Sequence, residues 1–241
     1  DLQALFDFDL VQFTPDVDAA TYRAWLAMLP PEQAVSLYVH VPFCSRLCWY
    51  CGCNTRVANR PEPIGEYVRY LLGEIDLLAT AVPGRLAASA LHFGGGTPNM
   101  LSVDELEAVF GALRASFDFA PDAEIAAELD PASLTRDWVR AAGRQRLTRA
   151  SLGVQTLDPK VQAAVNRIQS EAETFAVLEE ARRLGFRSIS MDLIYGLPHQ
   201  TVDSFGRTLG KIIAAGPDRL SVFNYAHLPE MFKPQRRIRA E

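Results

Sequence analysis

The sequence predicts an α/β fold of parallel strands, and three observations carry that expectation. Short apolar runs rich in β-branched and aromatic residues recur at 37–43, 89–93, 124–129, 149–155, 188–195 and 219–225. Helical patterns separate them at about 65–80, 103–116, 134–142, 172–184 and 202–215, with Gly143, Gly185 and Gly216 placed where helices stop. Polar residues collect at the C-terminal ends of the strand candidates. Strand, helix, strand in repetition means parallel pairing with right-handed crossovers, which leaves an open doubly wound sheet or a complete or partial (β/α) barrel. A barrel brings every strand end to one rim, where such folds place their chemistry, so the clustering of polar ends favours the barrel.

Each element has its own local reason. Residues 1–36 read as a leader with one helix near 19–28, ended by Pro30 and Pro31. The first strand runs into Cys44, and 57–63, with Arg60, Pro61 and Pro63, reads as a loop before the next helix. That helix carries Val68, Leu71, Leu72, Ile75 and Leu78 at the three-to-four spacing of one buried face. The second strand ends in Gly94 to Thr97, and Ser102 with Glu105 forms a capping box for the helix after it. Glu128 and Asp130 end the third strand, Gln155 the fourth, Asp192 and Tyr195 the fifth, and Asn224 to His227 the sixth. The expected division is a leader at 1–36, a barrel at 37–228, and at 229–241 a basic stretch that starts a further region.

Composition bounds the function. With 49% hydrophobic and 22% charged residues among 241, the chain can bury a substantial core and is not disordered. No apolar run reaches the roughly 18 residues of a membrane span. A net charge of −5 gives no electrostatic footprint for nucleic acid or an anionic membrane. No signal-peptide pattern precedes the cysteines, so a cytoplasmic location is expected.

All four cysteines, Cys44, Cys48, Cys51 and Cys53, fall in one ten-residue window, where a secreted disulfide framework would scatter them. Cys44-Ser-Arg-Leu-Cys48-Trp-Tyr-Cys51 places three thiolates within eight residues of a strand end. Three such ligands suit three corners of a 4Fe-4S cluster and leave the fourth iron open. A four-cysteine zinc is the alternative, although zinc sites usually draw pairs from separated segments and Cys51 with Cys53 is cramped for one tetrahedral centre. A cluster ligated by all four cysteines is a third.

The surrounding text resembles a known family. Cys-x3-Cys-x2-Cys after the first strand is similar to the signature of the radical S-adenosylmethionine (SAM) superfamily. Further likenesses follow in order: Tyr38-Val-His-Val-Pro-Phe-Cys44, Cys51-Gly-Cys53, Phe93-Gly-Gly-Gly-Thr-Pro98, Glu128-Leu-Asp-Pro131, Ser151-Leu-Gly-Val-Gln155, Asn166-Arg167, Asp192-Leu-Ile-Tyr-Gly-Leu-Pro198 and Ser221-Val-Phe-Asn-Tyr-Ala-His-Leu-Pro229. Together, over about 36–238, they resemble the oxygen-independent coproporphyrinogen III oxidases, also called coproporphyrinogen dehydrogenases.

The resemblance implies a partial (β/α)6, three-quarter TIM-like barrel of the radical SAM type. It implies Cys44, Cys48 and Cys51 as cluster ligands and Cys53 as none. It also implies Tyr38 and Tyr50 flanking the cluster and its SAM, Gly95 and Glu128 toward that SAM, and Gly96 and Thr97 facing a neighbouring ligand. Gln155, Arg167, Asp192 and Ala226 are implied for a second SAM position. Read without the family, these residues have plainer uses: Tyr38 and His40 as hydrogen-bonded interior residues, the glycines as a tight turn, Asp130 as a turn residue before Pro131, and Arg167 as a solvated charge.

The implied activity is oxidative decarboxylation of two propionates of coproporphyrinogen III to vinyl groups, giving protoporphyrinogen IX in haem biosynthesis. A SAM-derived deoxyadenosyl radical abstracts hydrogen from the propionate β-carbon, and a low-potential electron donor reduces the cluster. Arg46 and Arg149 are further candidates, as guanidinium partners for substrate carboxylates. A monomer is expected. The rival readings are a haem-handling homologue, acting as chaperone or methyltransferase, and a non-catalytic metal scaffold. Two departures stand out: the Tyr-Thr-Ser-Tyr-Pro-like stretch expected upstream is missing from 1–35, and no helical C-terminal region follows before Glu241. Weak decarboxylation by the chain alone is therefore expected.

Overall fold

The computed structural model describes residues 17–238 of the 241-residue chain, so the first sixteen residues of the predicted leader and the last three of the chain lie outside the described residues. The leader helix α1 (Ala19–Ala27) is capped by Asp18, whose carboxylate accepts from Thr21 N. Strand β1 (Val35–Val41) stops at Pro42, which has no N–H to offer the ladder. The predicted 37–43 run is therefore two strands, because the chain resumes as the short β2 (Phe43–Cys44), paired in parallel with β3 (Arg56–Val57). That small pairing closes the cysteine-bearing segment into a loop. Helix α2 (Glu62–Ala81) follows, beginning earlier than expected because Pro63 falls in its first turn, where proline is tolerated.

The remaining strands and α-helices among the described residues are β4 (Ala87–Gly95), α3 (Val103–Ser116), β5 (Asp118–Leu129), α4 (Arg136–Arg144), β6 (Arg149–Gln155), α5 (Pro159–Ala164), α6 (Glu171–Arg183), β7 (Ser188–Tyr195), α7 (Val202–Ala215) and β8 (Arg219–Asn224). The capping box of Ser102 and Glu105 starts α3 as expected, and Ser170 with Glu173 starts α6 in the same way. Gly185 and Gly216 take positive φ at the helix ends the sequence assigned to them. Gly143 does not: α4 runs on to Arg144, and Arg146 takes the left-handed turn with φ 63°. Strand β5 begins six residues before the expected 124, and the six-residue α5 is new.

Six strands form one parallel sheet in the order β1-β4-β5-β6-β7-β8. Neither β1 nor β8 pairs with the other, so the sheet is an open, partial barrel. Its two faces differ chemically. Along β6, Ala150, Leu152 and Val154 are buried against the helices, while Arg149, Ser151, Gly153 and Gln155 alternate toward the other side. The same alternation puts Ile189, Met191 and Leu193 of β7 in the core and Ser188, Ser190 and Asp192 opposite. The core lies between the sheet's outer face and α2, α3, α4, α6 and α7, with Phe93 packed on Phe110 at 5.2 Å between ring centres. The inner face curves around a polar lumen, since one cavity of about 330 Å³ touches residues from His92 on β4 to Phe223 on β8. Closed barrels fill this space with apolar layers; here charged and hydroxyl side chains such as Glu124, Arg149, Ser190 and Asp192 line it.

Candidate functional site

The cysteine loop is fastened from several directions. Arg56 N donates to Pro42 O and Ala58 N to Cys44 O, which extends the β2–β3 pairing on both sides. Trp49 and Tyr50 pack on a small second core of Val161, Val165, Leu197 and Ile238. Trp49 N donates to Val165 O, and Asn166 Nδ2 donates to Leu47 O at 2.8 Å. The segment after β8 returns to the same loop: buried Gln235 donates to Tyr50 O, and the Phe232 ring lies 3.0 Å from where a Cβ on Gly52 would stand.

Cys44, Cys48, Cys51 and Cys53 all line one cleft of about 160 Å³ at the C-terminal ends of the strands, Cys53 being the exposed one. All four cysteines are free thiols. The sulfurs of Cys44, Cys48 and Cys51 each meet a hydrogen-bonding group. The Thr97 hydroxyl donates to Cys44 Sγ, and Thr55 Oγ1 lies 3.2 Å from it. Arg167 donates to Cys48 Sγ at 3.4 Å, and Cys53 N donates to Cys51 Sγ. Donors around sulfur are what a thiolate ligand set requires of its surroundings. Among the described residues, no three His, Cys, Asp or Glu side chains gather around the position of one ion. A polynuclear cluster asks for no such convergence, because each cysteine serves its own iron. Burial raises the Cys44 thiol pKa against the two threonine hydroxyls, while the thiol of Cys51 lowers that of Cys53 to about 7.

The opposite wall is built from strand ends. Gly95, with φ 106°, and Gly96 bring bare backbone to the cleft, and a Cβ on Gly95 would strike the His40 ring at 2.6 Å. Gly96 N and Thr97 N donate to Val41 O and Phe43 O, tying the glycine turn to both segments that frame Cys44. Glu128, Gln155, Asp192 and Tyr50 also line the cleft. Ser151 Oγ donates to the Asp192 carboxylate at 2.8 Å, and burial raises the Asp192 pKa despite that contact. Glu128 is held by His92 Nε2 at 3.1 Å. Gln155 Oε1 and Arg167 Nε are buried without a partner. An unpaired acceptor and an unpaired donor in one cleft wall suit a ligand carrying both complementary groups.

Two predicted residues are not among those that line this cleft. Tyr38, on β1, is stacked on His92 with ring centres 5.8 Å apart, and its hydroxyl lies 3.2 Å from His40 Nδ1. Ala226 is exposed in the loop after β8. Arg46 lies at the cleft, whereas Arg149 lies in the lumen, paired with Glu124. Asp130 is more than the turn residue expected: its carboxylate accepts from Ala132 N and also from Arg167 at 3.1 Å. Thr55, Ser151 and the Asp130 contact were not singled out from sequence, because their importance is set by partners 11 to 41 residues away.

Comparison with known proteins finds relatives of nearly the whole chain. Residues 38–212 match the model of the radical SAM superfamily. An oxygen-independent coproporphyrinogen III oxidase of Bradyrhizobium diazoefficiens is 48% identical over 226 residues, covering 94% of this chain and 50% of that protein. One from Escherichia coli is 46% identical over 229 residues, covering 95% of this chain and 50% of its own length. The chain thus spans about half the length of the curated relatives it matches. The solved coproporphyrinogen III oxidase of Escherichia coli, described as a radical SAM enzyme, superposes with a TM-score of 0.91 at 41% identity, covering 99% of this chain and 56% of that one.

Proposed function

From the premise that the chain belongs to the radical SAM superfamily, whose members use a 4Fe-4S cluster and SAM, we propose that it forms the cofactor-binding part of a coproporphyrinogen III dehydrogenase. The reaction proposed is conversion of two propionates to vinyl groups, giving protoporphyrinogen IX. The observation that carries this reading is the placing of Cys44, Cys48 and Cys51, with Cys53 beside them, in a cleft walled by bare glycine backbone and the carboxylates of Glu128, Asp130 and Asp192. The organic chemistry belongs to the bound group: SAM cleaved at a reduced cluster supplies the radical that removes hydrogen from the substrate.

This chain's own residues bind, orient and exclude water. Cys44, Cys48 and Cys51 would hold the cluster, and Cys53, exposed at the edge of the loop, would not. Gly95 and Gly96 let the turn sit tight against His40, Phe43 and Thr55 and present its backbone to the cleft, and Glu128 offers an acceptor held by His92. Asp192, oriented by Ser151, offers a second acceptor. Gln155 and Arg167 supply the unpaired polar atoms of the second SAM position, which Ala226 would approach from the loop above. Tyr50 closes the inner side of the loop against water. Tyr38 acts from the neighbouring strand, through the His40 that lies under Gly95. The division into leader, barrel and following segment belongs to the same reading. So do a monomeric state, a cytoplasmic location and a low-potential electron donor. Among the described residues no helix is long and apolar enough to cross a membrane.

Anaerobic reconstitution with iron and sulfide, followed by assay with SAM, tests the proposal. The expected protein is brown, releases deoxyadenosine, and releases more of it when coproporphyrinogen III is present. A colourless protein holding zinc would overturn the reading. A cluster-loaded protein that binds haem and ignores coproporphyrinogen III would move it to the haem-handling relatives.

A further inference from the structure

We infer that Arg167 raises the reduction potential of the cluster by donating to the sulfur of Cys48, and that Asp130 limits how far it does so. This rests on the proposed cluster and adds to the place of Arg167 beside the second SAM position.

The geometry begins with a turn. Helix α5 ends at Ala164, and Asn166 takes a left-handed φ of 56°, which swings the chain toward the cysteine loop. Three consecutive residues then hold three consecutive residues: Val165 accepts from Trp49 N, Asn166 donates to Leu47 O, and Arg167 donates to Cys48 Sγ. The guanidinium is also fixed from behind, donating to Gly153 O on β6 and to Asp130 Oδ1 after β5. Its side chain is 13% exposed, and that of Asp130 is 15% exposed, so water screens neither strongly.

A fixed cation next to a ligand sulfur does not stabilise both oxidation states equally. The reduced cluster carries one more negative charge, so a hydrogen bond and a positive charge at Cys48 favour it, and the potential rises. Asp130, 3.1 Å from the same guanidinium, cancels part of that field. The two residues therefore act in opposite directions on one quantity. A role confined to holding the loop in place would change how much cluster the protein carries and leave the potential where it was.

The experiment is an anaerobic redox titration of the reconstituted full chain, read by the electron paramagnetic resonance of the reduced cluster, with iron and sulfide counted for each protein. Relative to wild type, Arg167→Gln lowers the reduced-to-oxidised ratio at a fixed solution potential about tenfold, equivalent to ~59 mV for one electron. Arg167→Lys, which keeps the charge and loses the fork, lies between the two. Asp130→Asn shifts the ratio the other way. A normally loaded Arg167→Gln protein with the wild-type potential overturns the inference, as does a shift of Asp130→Asn in the same direction as Arg167→Gln. If Arg167→Gln fails to load, Asp130→Asn decides alone, and a potential at or below wild type overturns the inference. A wild-type chain that takes up no cluster overturns the proposed function and this inference together, whereas a loaded wild type with unmoved variants overturns only this inference.

Discussion

Gly96→Ala is the substitution that most sharply tests how the glycine turn frames the cysteine loop. A Cβ built at Gly96 stands 2.7 Å from Phe43 O, 2.7 Å from Thr55 Oγ1 and 3.0 Å from Phe43 C. The first and third are backbone atoms of the residue before Cys44, so they cannot step aside as a side-chain tip can. Reaching the 3.4 Å of ordinary contact requires a retreat of about 0.7 Å by a segment that Thr97 N and the β2–β3 pairing hold in place. Overpacking of this kind costs ~1–3 kcal/mol. For a chain of this size ~2 kcal/mol lowers the melting temperature by ~4–8 °C. Displacing Phe43 also moves Cys44, so iron uptake on reconstitution should fall with it. Thermal denaturation followed by circular dichroism, with iron counted in parallel, gives both readings. A Gly96→Ala protein that melts with wild type and takes up full iron would refute this account of the turn. Gly73, exposed in α2 with nothing within 4 Å of its Cβ position, is the control. Gly73→Ala should raise stability by ~0.5–1 kcal/mol through helix propensity.

Three further outcomes are expected. Ser102→Ala removes one half of the capping box of α3 and should cost ~1 kcal/mol by chemical denaturation, an effect absent if the cap is merely decorative. Cys48→Ala should abolish iron–sulfide loading while Cys53→Ala retains it; equal loss in both would make Cys53 a ligand. Asp192 gives a pH signature. Burial holds its pKa above the ordinary 3.8, so folding favours the neutral carboxyl. The stabilisation is complete below 3.8 and is lost as pH rises through the raised value. Asp192→Asn should therefore melt above wild type at neutral pH and converge with it in acid; a difference that persists unchanged into acid would contradict the sign.

Much of the fold was legible because its strands are chemically one-sided. The limits of β6 and β7 match the expected 149–155 and 188–195, and over 149–155 and 188–193 polar residues or glycine alternate with Ala, Leu, Val, Ile and Met. The start of β5 was hidden: Asp118, Pro121 and Asp122 do not read as strand, yet Ala87 and Ala88 pair with Asp118 and Phe119, and Pro121 and Asp122 fall in the register shift before Glu124. Helix α5 had its signal in Asp158 before Pro159, a cap and a first-turn proline, but its six residues are too few to show a period. The cleft was legible as far as motif order allowed. Sequence order shows which strand end carries Glu128 or Asp192, whereas the contacts of Asp130 with Arg167 and of Thr55 with Cys44 depend on how the loop folds back. Tyr38 belongs to the same group: sequence shows its place before the cluster loop, whereas its stacking on His92, the partner of Glu128, is set by how β1 and β4 pair.

The proposed function stands on three cysteines of one loop holding a 4Fe-4S cluster whose fourth iron is open to SAM. Electron paramagnetic resonance of the reduced, reconstituted chain before and after addition of SAM tests it most directly. The expected result is a cluster signal in wild type that changes on SAM addition and is lost in Cys44→Ala, Cys48→Ala and Cys51→Ala alike. A cluster signal that SAM leaves unchanged, or one that survives loss of any of the three cysteines, would contradict it.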